Sequence, residues 1–415
     1  MHKIAGFNAE QGLRDAFAIP RHGDSGAQHY FCGNSLGLMP WSAREEVEAE
    51  LARWATLGVE GHFLGETAWM PYHHLLTADL AQLVGALPIE VVAMNTLTVN
   101  LQLLMTSFYR PQGARRRILI EQRAFPSDRH AVLGQLSVHG LDPATDLLEL
   151  APDPQTGLHE EGALEELLRR EGETIALVLW PGVQYASGQF FDLGRIVRAA
   201  HAVGSRVGLD LAHAVGNVPL ALHDDGPDFA VWCSYKYLNA GPGALAGAFV
   251  HERHAHFEGP RLSGWWGHDQ STRFRMGPEF RPTPGAQGWQ LSNPSIFAAA
   301  PLRASLKHFS AVGMAALRAR SEVLTGYLEQ RIRAELDTRI RILTPRDPAR
   351  RGSQLSLQMR AGRDEGRRVF EALLADGIVC DWREPDVIRA APVPMYNTRA
   401  DIDALVDTMR ALLAA

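Results

Sequence analysis

The stretch "RVGLDLAHAVGNVPLALHDDGPDFAVWCSYKYLNAGPGALAGAFV", residues 206–250, decides the fold. "RVGLDL" and "FAVWCS" are nearly unbroken apolar runs of strand length, as expected for strands covered on both faces. Asp210 closes the first strand, and Lys236, set between two tyrosines, follows the second. Upstream, "TIALVLW" (174–180) is a further such run, and Asp192 reads as the N-cap of a helix over "LGRIVRAAHAV" with Gly204 as its stop. Strand, helix, strand at this spacing predicts a βαβ unit with a right-handed crossover. "RRILIE" (116–121), followed by a helix near 127–138, and "GALAGAFV" (243–250) extend the same buried sheet. Ligands bind such sheets beyond the carboxyl ends of the strands, so Asp210 and Lys236 are expected on one rim.

The texture changes after about residue 300. "SLKHFSAVGMAALRARSEVLTGYLEQRIRAEL" (305–336) has long helical periodicity, and "RIRILTP" and "QLSLQMR" alternate like half-exposed strands. "DEGRRVFEALLADG" reads as an amphipathic helix, "VCDWRE" and "VIRAAPV" as short strands, and residues 399–414 as a closing helix. The expected organisation is an N-terminal segment, 1–50, packing with the small domain. A large α/β domain with a mostly parallel sheet, 51–300, and a smaller α+β domain, 301–415, follow it. The 415 residues are comfortable for two domains.

A net charge of -6 leaves no global basic field to hold nucleic acid. No apolar run reaches the roughly 18 residues a membrane span needs, and the N-terminus lacks the pattern of a signal peptide. Three cysteines, Cys32, Cys233 and Cys380, have no metal-type spacing and suit a reducing cytoplasm. No metal site is expected.

An aspartate and a lysine on one rim are a buried ion pair or a reactive set. A lysine in an apolar site is a nucleophile or a Schiff-base former, and a facing carboxylate suits a pyridine nitrogen. "MNTLTVNLQLLM" (94–105) places Thr96 and Thr98 before a helical pattern, which is either an ordinary capped helix or a phosphate cradle. Phe125 and Asp128, in "RAFPSDRH", follow a strand; Phe125 plugs the core or faces a flat ring.

Together, "FCGNSLGLMP", "MNTLTVNLQLLM", "FPSDRHA", the stretch around Asp210 and Lys236, "LSGWWGH", "QLSNPSIF" and "VIRAAPVPMYN" resemble the fold-type I pyridoxal phosphate enzymes. Among these the resemblance is to the kynureninase family, and it runs from residue 31 to 397. It implies that Lys236 carries the aldehyde of pyridoxal 5'-phosphate as an imine and that Asp210 pairs with the pyridine nitrogen. It also implies that Thr98, the backbone at Leu97, Tyr235 and Trp265 hold the phosphate and that Phe125 stacks on the ring. Asp128, His213 and Asn293 complete the cofactor shell. Arg389 is the implied clamp for the substrate carboxylate, an arginine fork being suited to that role; pairing with an acid such as Asp386 is the plainer alternative. Pro181 departs from the family pattern, since it has neither hydroxyl nor N–H to offer.

The implied reaction is hydrolysis of L-kynurenine to anthranilate and L-alanine in tryptophan breakdown or NAD synthesis. Lys236 moves the Cα proton, and Tyr235 is a candidate proton carrier or only a phosphate ligand. Ser35, His62, Ser292 and Asn293 are the candidates near the substrate ring, a polar set that predicts tolerance of 3-hydroxykynurenine. A homodimer with shared sites is implied, with Trp265 and Asn293 reaching across. A cysteine desulfurase on the same fold is the rival, but it needs a reactive cysteine on a mobile loop, and Cys233 and Cys380 lie in strand-like runs. "GPGALAG" (241–247) has the wrong spacing for a dinucleotide loop and leads into a strand. A cofactor-binding regulator would need a basic DNA-binding segment, and none is left over.

Overall fold

The computed structural model describes residues 7, 8, 10–24 and 26–414, so part of the 1–50 segment lies outside the described residues. Seven strands form the main sheet: β1 (Val91–Ala93), β2 (Arg117–Glu121), β3 (Leu147–Leu150), β4 (Ile175–Pro181), β5 (Arg206–Asp210), β6 (Phe229–Trp232) and β7 (Gly247–Val250). Their order is β1-β7-β6-β5-β4-β2-β3, and only β7 runs against the others. The apolar runs are explained by burial on both sides. Trp180, Val207, Leu209, Ala230 and Trp232 belong to one core, and Leu177, Leu179, Phe229 and Val231 to another. The helix Leu193–Ala202 joins adjacent parallel strands β4 and β5, and Asp192 caps it by accepting from Arg195 N at 2.9 Å.

The connections reverse direction between β2 and β4. From β2 the chain moves outward to β3, then returns past β2 to β4 and proceeds through β5 and β6. A crevice at the carboxyl ends of the strands is expected where the order reverses.

A second, antiparallel sheet holds β8 (Ile340–Ile342), β9 (Leu355–Met359), β10 (Asp381–Arg383) and β11 (Val387–Ala390) in the order β10-β11-β9-β8. The N-terminal segment joins this part of the fold. His29–Tyr30 pairs in parallel with Ile378–Val379, and Phe31 is buried among Leu355, Ile388 and Leu405.

Three expectations need correction. The strand read at 243–250 is confined to Gly247–Val250. The long helix read at 305–336 is two, Ile296–Val312 and Met314–Glu335, broken at Gly313, whose φ of 79° an L side chain rarely adopts. The alternating strand "QLSLQMR" is not half-exposed: Ser356 is buried and donates to Ala186 O at 2.6 Å, so its polar side is satisfied by a loop rather than by water.

Candidate functional site

A cleft opens where the strand order reverses, bounded by the ends of β2, β4, β5 and β6. Leu97, Thr98, Phe125, Asp128, Asp210, His213, Tyr235 and Lys236 all line it. Glu121, Ser127, Pro181, Val183, Tyr185 and Ala212 complete the wall.

Lys236 is fixed by a tight turn. Asn239, at a φ of 54°, returns its N–H to Lys236 O at 2.9 Å, and Ala240 N bonds Ser234 O at 3.0 Å. The glycines at 241 and 243, which follow the lysine, have nothing within 4 Å of an added Cβ among the described residues. The close approach is instead made by Gly37 of the N-terminal loop. Its N–H bonds Tyr235 O at 2.8 Å, and a Cβ there would meet Lys236 O and Asn239 Oδ1 at 2.3 Å. The segment "FCGNSLGLMP" therefore braces the lysine turn from behind.

From that turn Lys236 Nζ reaches Nε2 of His213 at 3.1 Å and sits over the Phe125 ring, 5.8 Å from its centroid. Asp210, at the end of β5, accepts from Ala212 N at 2.7 Å and shares a hydrogen bond with Asp128. Burial first, then the adjoining Asp210, pushes the Asp128 carboxyl well above the usual range; burial does the same to Glu121. Two carboxyls this close do not both ionise in a buried site. Burial also pushes the Tyr235 phenol up, so it keeps its proton.

The helices Leu97–Phe108 and Pro126–Val138 both begin at the cleft, and Thr98 Oγ1 meets Ser127 Oγ at 2.7 Å across their first turns. Two helix N-termini with adjoining hydroxyls are an anion cradle.

These residues fit pyridoxal phosphate. The amine for its aldehyde, the carboxyl for its ring nitrogen and the cradle for its phosphate converge on one cleft. Two buried polar atoms at the cleft, Asp128 Oδ1 and His213 Nδ1, have no hydrogen-bond partner among the described residues, and a polar ring in the cleft would offer them partners. Pro181 stands in the wall beside Asp210 in the strand register.

The remaining predicted residues lie elsewhere in the chain. Trp265 is 45% exposed and packs on Trp266 and Phe274, and Ser292 and Asn293 are exposed. His62 stands edge-on to Trp69 at 5.3 Å. Arg389 is fully buried, and its partner is Asp381 rather than Asp386. Ser35, expected near the substrate ring, donates to Asp381 Oδ2 at 2.5 Å. Glu121 and Pro181 were discoverable from the strand-end rule, and Ser127 from its place in the first turn of a helix; Tyr185 sits in a loop with no such signal.

A cluster of Glu90, His223 and His251 has the composition of a metal site, but its ligand atoms are engaged. Glu90 Oε1 accepts from His223 Nδ1 at 3.0 Å and Glu252 N at 2.8 Å, Oε2 from Leu87 N at 2.8 Å, and His251 Nδ1 from Arg253 N at 3.1 Å. It is a hydrogen-bonded staple between loops. All three cysteines are buried and unpaired, and burial pushes each thiol up, to about 12 for Cys32; none is the exposed nucleophile a desulfurase uses.

Known proteins resemble this chain in fold and in sequence. In solved structures, a cysteine desulfurase of Thermococcus onnurineus NA1 superposes with a TM-score of 0.76 at 16% identity, over 93% of this chain and 94% of that one. The cystine C-S lyase C-DES, in complex with cysteine persulfide, does so with a TM-score of 0.76 at 19% identity, over 92% and 97%. At such identities they bear out the fold-type I architecture and nothing finer. The kynureninase C-terminal domain family matches residues 317–409. The kynureninase of Xanthomonas campestris pv. campestris (strain B100) is 59% identical, over 98% of this chain and 95% of that protein. That of Xanthomonas euvesicatoria pv. vesicatoria (strain 85-10) is 60% identical over 405 residues, 98% of this chain and 96% of that protein. With that likeness running through both sheets and the cleft at the strand ends of the main one, the chain belongs to the kynureninase family.

Proposed function

We propose that this protein is a pyridoxal phosphate-dependent hydrolase that cleaves the Cβ–Cγ bond of L-kynurenine with water, giving anthranilate and L-alanine. The observation that carries the reading is the convergence of Lys236, Asp210 and the Thr98–Ser127 pair on one cleft. Bound there, pyridoxal phosphate supplies an electron sink conjugated to the amine-bearing carbon of the substrate. Asp210 holds the ring nitrogen, with its own orientation fixed by Ala212 N. Lys236 holds the aldehyde at rest and moves the Cα proton in the reaction. His213, kept neutral by burial and by the positive charges around it, accepts a hydrogen bond from Lys236 and leaves its Nδ1 for the cofactor. Tyr235 keeps a phenolic proton at the cleft and passes it to the substrate during cleavage. Leu97, Thr98 and Ser127 cradle the phosphate, and Phe125 covers the ring.

A second copy of the chain supplies Trp265 and Asn293 to each cleft, and His62 and Asn293 face the substrate ring, where 3-hydroxykynurenine is also accepted. The described residues of the 1–50 segment pack with the small domain, those of 51–300 bind the cofactor and those of 301–415 form the small domain. Among the described residues no helix is long and apolar enough to cross a membrane. Three free cysteines fit a cytoplasmic location, and tryptophan catabolism and NAD biosynthesis are the roles the activity serves.

The test is direct. The purified protein shows a visible absorbance band that borohydride bleaches and Lys236→Ala abolishes, and it releases fluorescent anthranilate from kynurenine. Sulfide from cysteine without anthranilate from kynurenine would overturn the reading. Tyr235→Phe retains the band and loses most of kcat; a normal kcat would limit Tyr235 to phosphate binding.

A further inference from the structure

Asp210 and Lys236 account for the cofactor, but a second charged cluster lies on the small sheet. Asp381 and Arg389 are direct partners across the antiparallel β10–β11 ladder, and Arg383 follows Asp381 by two residues on the same face. Opposite charges placed so meet without distortion. Asp381 Oδ1 accepts from Arg389 Nε at 3.1 Å, with Arg389 Nη2 2.9 Å and Arg383 Nε 3.0 Å from the same oxygen. Its Oδ2 accepts from Ser35 Oγ at 2.5 Å and from Arg383 Nη2 at 3.1 Å. Ser35 Oγ is also 3.4 Å from Arg389 Nη2. On the far side, Arg389 Nη1 donates to Tyr185 O at 2.7 Å, and Tyr185 lines the cleft against Phe125.

Two guanidinium groups, a fully buried Arg389 and a part-exposed Arg383, share one carboxylate, a net charge of one positive. A single incoming carboxylate balances it. A guanidinium has two edges that can bind a carboxylate with paired N–H groups. Asp381 takes the Nε/Nη2 edge; on the other edge Nη1 donates to Tyr185 O in the wall of the cleft and Nη2 also meets Ser35 Oγ, so a carboxylate received there takes the place of those two contacts. Resting on the functional reading above, we infer that Asp381 is a positioning residue for substrate recognition. It anchors one edge of Arg389, with Ser35 and Arg383 holding it in place, so that the other edge receives the α-carboxylate of the amino-acid substrate.

The parent protein is scored first: no anthranilate from kynurenine overturns the functional reading and not this one alone. In a parent that cleaves kynurenine, Asp381→Asn raises KM about tenfold or more, the loss expected for a hydrogen bond to a charged group, with kcat nearly unchanged. The penalty disappears for inhibition by an analogue of kynurenine that lacks the carboxylate. In combination with Arg389→Lys the effects are strongly non-additive, because Asp381 acts through that guanidinium. An unchanged KM, a KM that falls because Asp381 was competing with the substrate, or an equal penalty on the carboxylate-free analogue overturns the role. Should Asp381→Asn fail to fold, Ser35→Ala keeps the charge and removes one anchor. It gives a smaller rise in KM, again confined to the carboxylate-bearing substrate, and no such rise overturns the role.

Discussion

Nζ of Lys236 lies 3.1 Å from Nε2 of His213, and the imidazole carries no proton on that nitrogen when it accepts from the amine. Burial, then the charges of Lys236, Arg389 and Arg383, holds His213 well below the usual histidine range, so this arrangement persists at neutral pH. Its Nδ1–H is then a buried donor without a partner among the described residues, and a cofactor bound in the cleft would offer it one. His213→Phe is expected to weaken pyridoxal phosphate binding about tenfold, read by titrating apoprotein with cofactor. Unchanged affinity would reduce His213 to a space-filling role.

The Thr98–Ser127 pair makes a parallel claim for the phosphate end. Each hydroxyl sits in the first turn of a different helix, where backbone N–H groups are unpaired by the helix itself. Thr98→Ala and Ser127→Ala are each expected to lower cofactor affinity by about tenfold or more, the usual worth of a hydrogen bond to a charged group. Phosphate-free pyridoxal should show no difference between parent and variants. A penalty that persists with pyridoxal would place the hydroxyls in the fold rather than in phosphate binding.

Gly37 supports the lysine turn from a distant part of the sequence. A methyl at this position meets Lys236 O and Asn239 Oδ1 at 2.3 Å, and neither neighbour is free to move, since each is tied into the turn. Gly37→Ala should cost about 1–3 kcal/mol of stability by overpacking and reduce the visible cofactor band. Gly243→Ala is the control. Its φ of 71° makes the substitution locally unfavourable, but nothing lies within 4 Å, so the band should be retained. Equal loss in both would remove the bracing role of the N-terminal loop.

The parts of this site that could be read from sequence are those fixed by local rules. Buried parallel strands write continuous apolar runs, and their carboxyl ends mark the rim, so Asp210 and Lys236 were placeable without a structure. The Asp192 cap is equally local. What escaped depends on distant partners. The reversal of β7 is fixed by its pairing with Val91–Ala93, more than a hundred residues earlier in the chain. Ser35 is drawn to Asp381 by a strand near the other terminus, and the bracing contact of Gly37 is set by a turn about two hundred residues away. Nothing in a short window reports such contacts.

Acid sensitivity of the fold has an identifiable contributor in His159. Burial is the main cause that pushes its imidazole down to about 4, with an opposing hydrogen bond at the Gln122 backbone and a further push from Arg123. Below about pH 6.5 the unfolded chain binds a proton at this residue that the native protein does not take until about pH 4. Stability therefore falls as the pH drops through that window, at a slope approaching about 1.4 kcal/mol per pH unit from this residue. In His159→Gln the decline between pH 6.5 and 4 should be shallower, measured as denaturation midpoints of apoprotein against pH. An identical slope would assign the proton uptake elsewhere.

The sharing of sites between two copies is testable without a structure of the assembly. Trp265 is 45% exposed and, with Asn293, stands apart from the cleft residues of its own chain. If a symmetric pair completes each cleft with the other copy's Trp265, then Lys236→Ala and Trp265→Ala each inactivate both sites of a homodimer, but for different reasons. Mixing the two variants under conditions that allow exchange forms hybrids. One cleft of each hybrid carries both lesions, and the other carries none. With random pairing, half the dimers are hybrids and half of their sites are intact, so roughly a quarter of parental activity should appear from two inactive proteins. Recovery should rise with exchange time and vanish when the variants are mixed without exchange. If Trp265 served the cleft of its own chain, every site would keep one lesion and no activity would return.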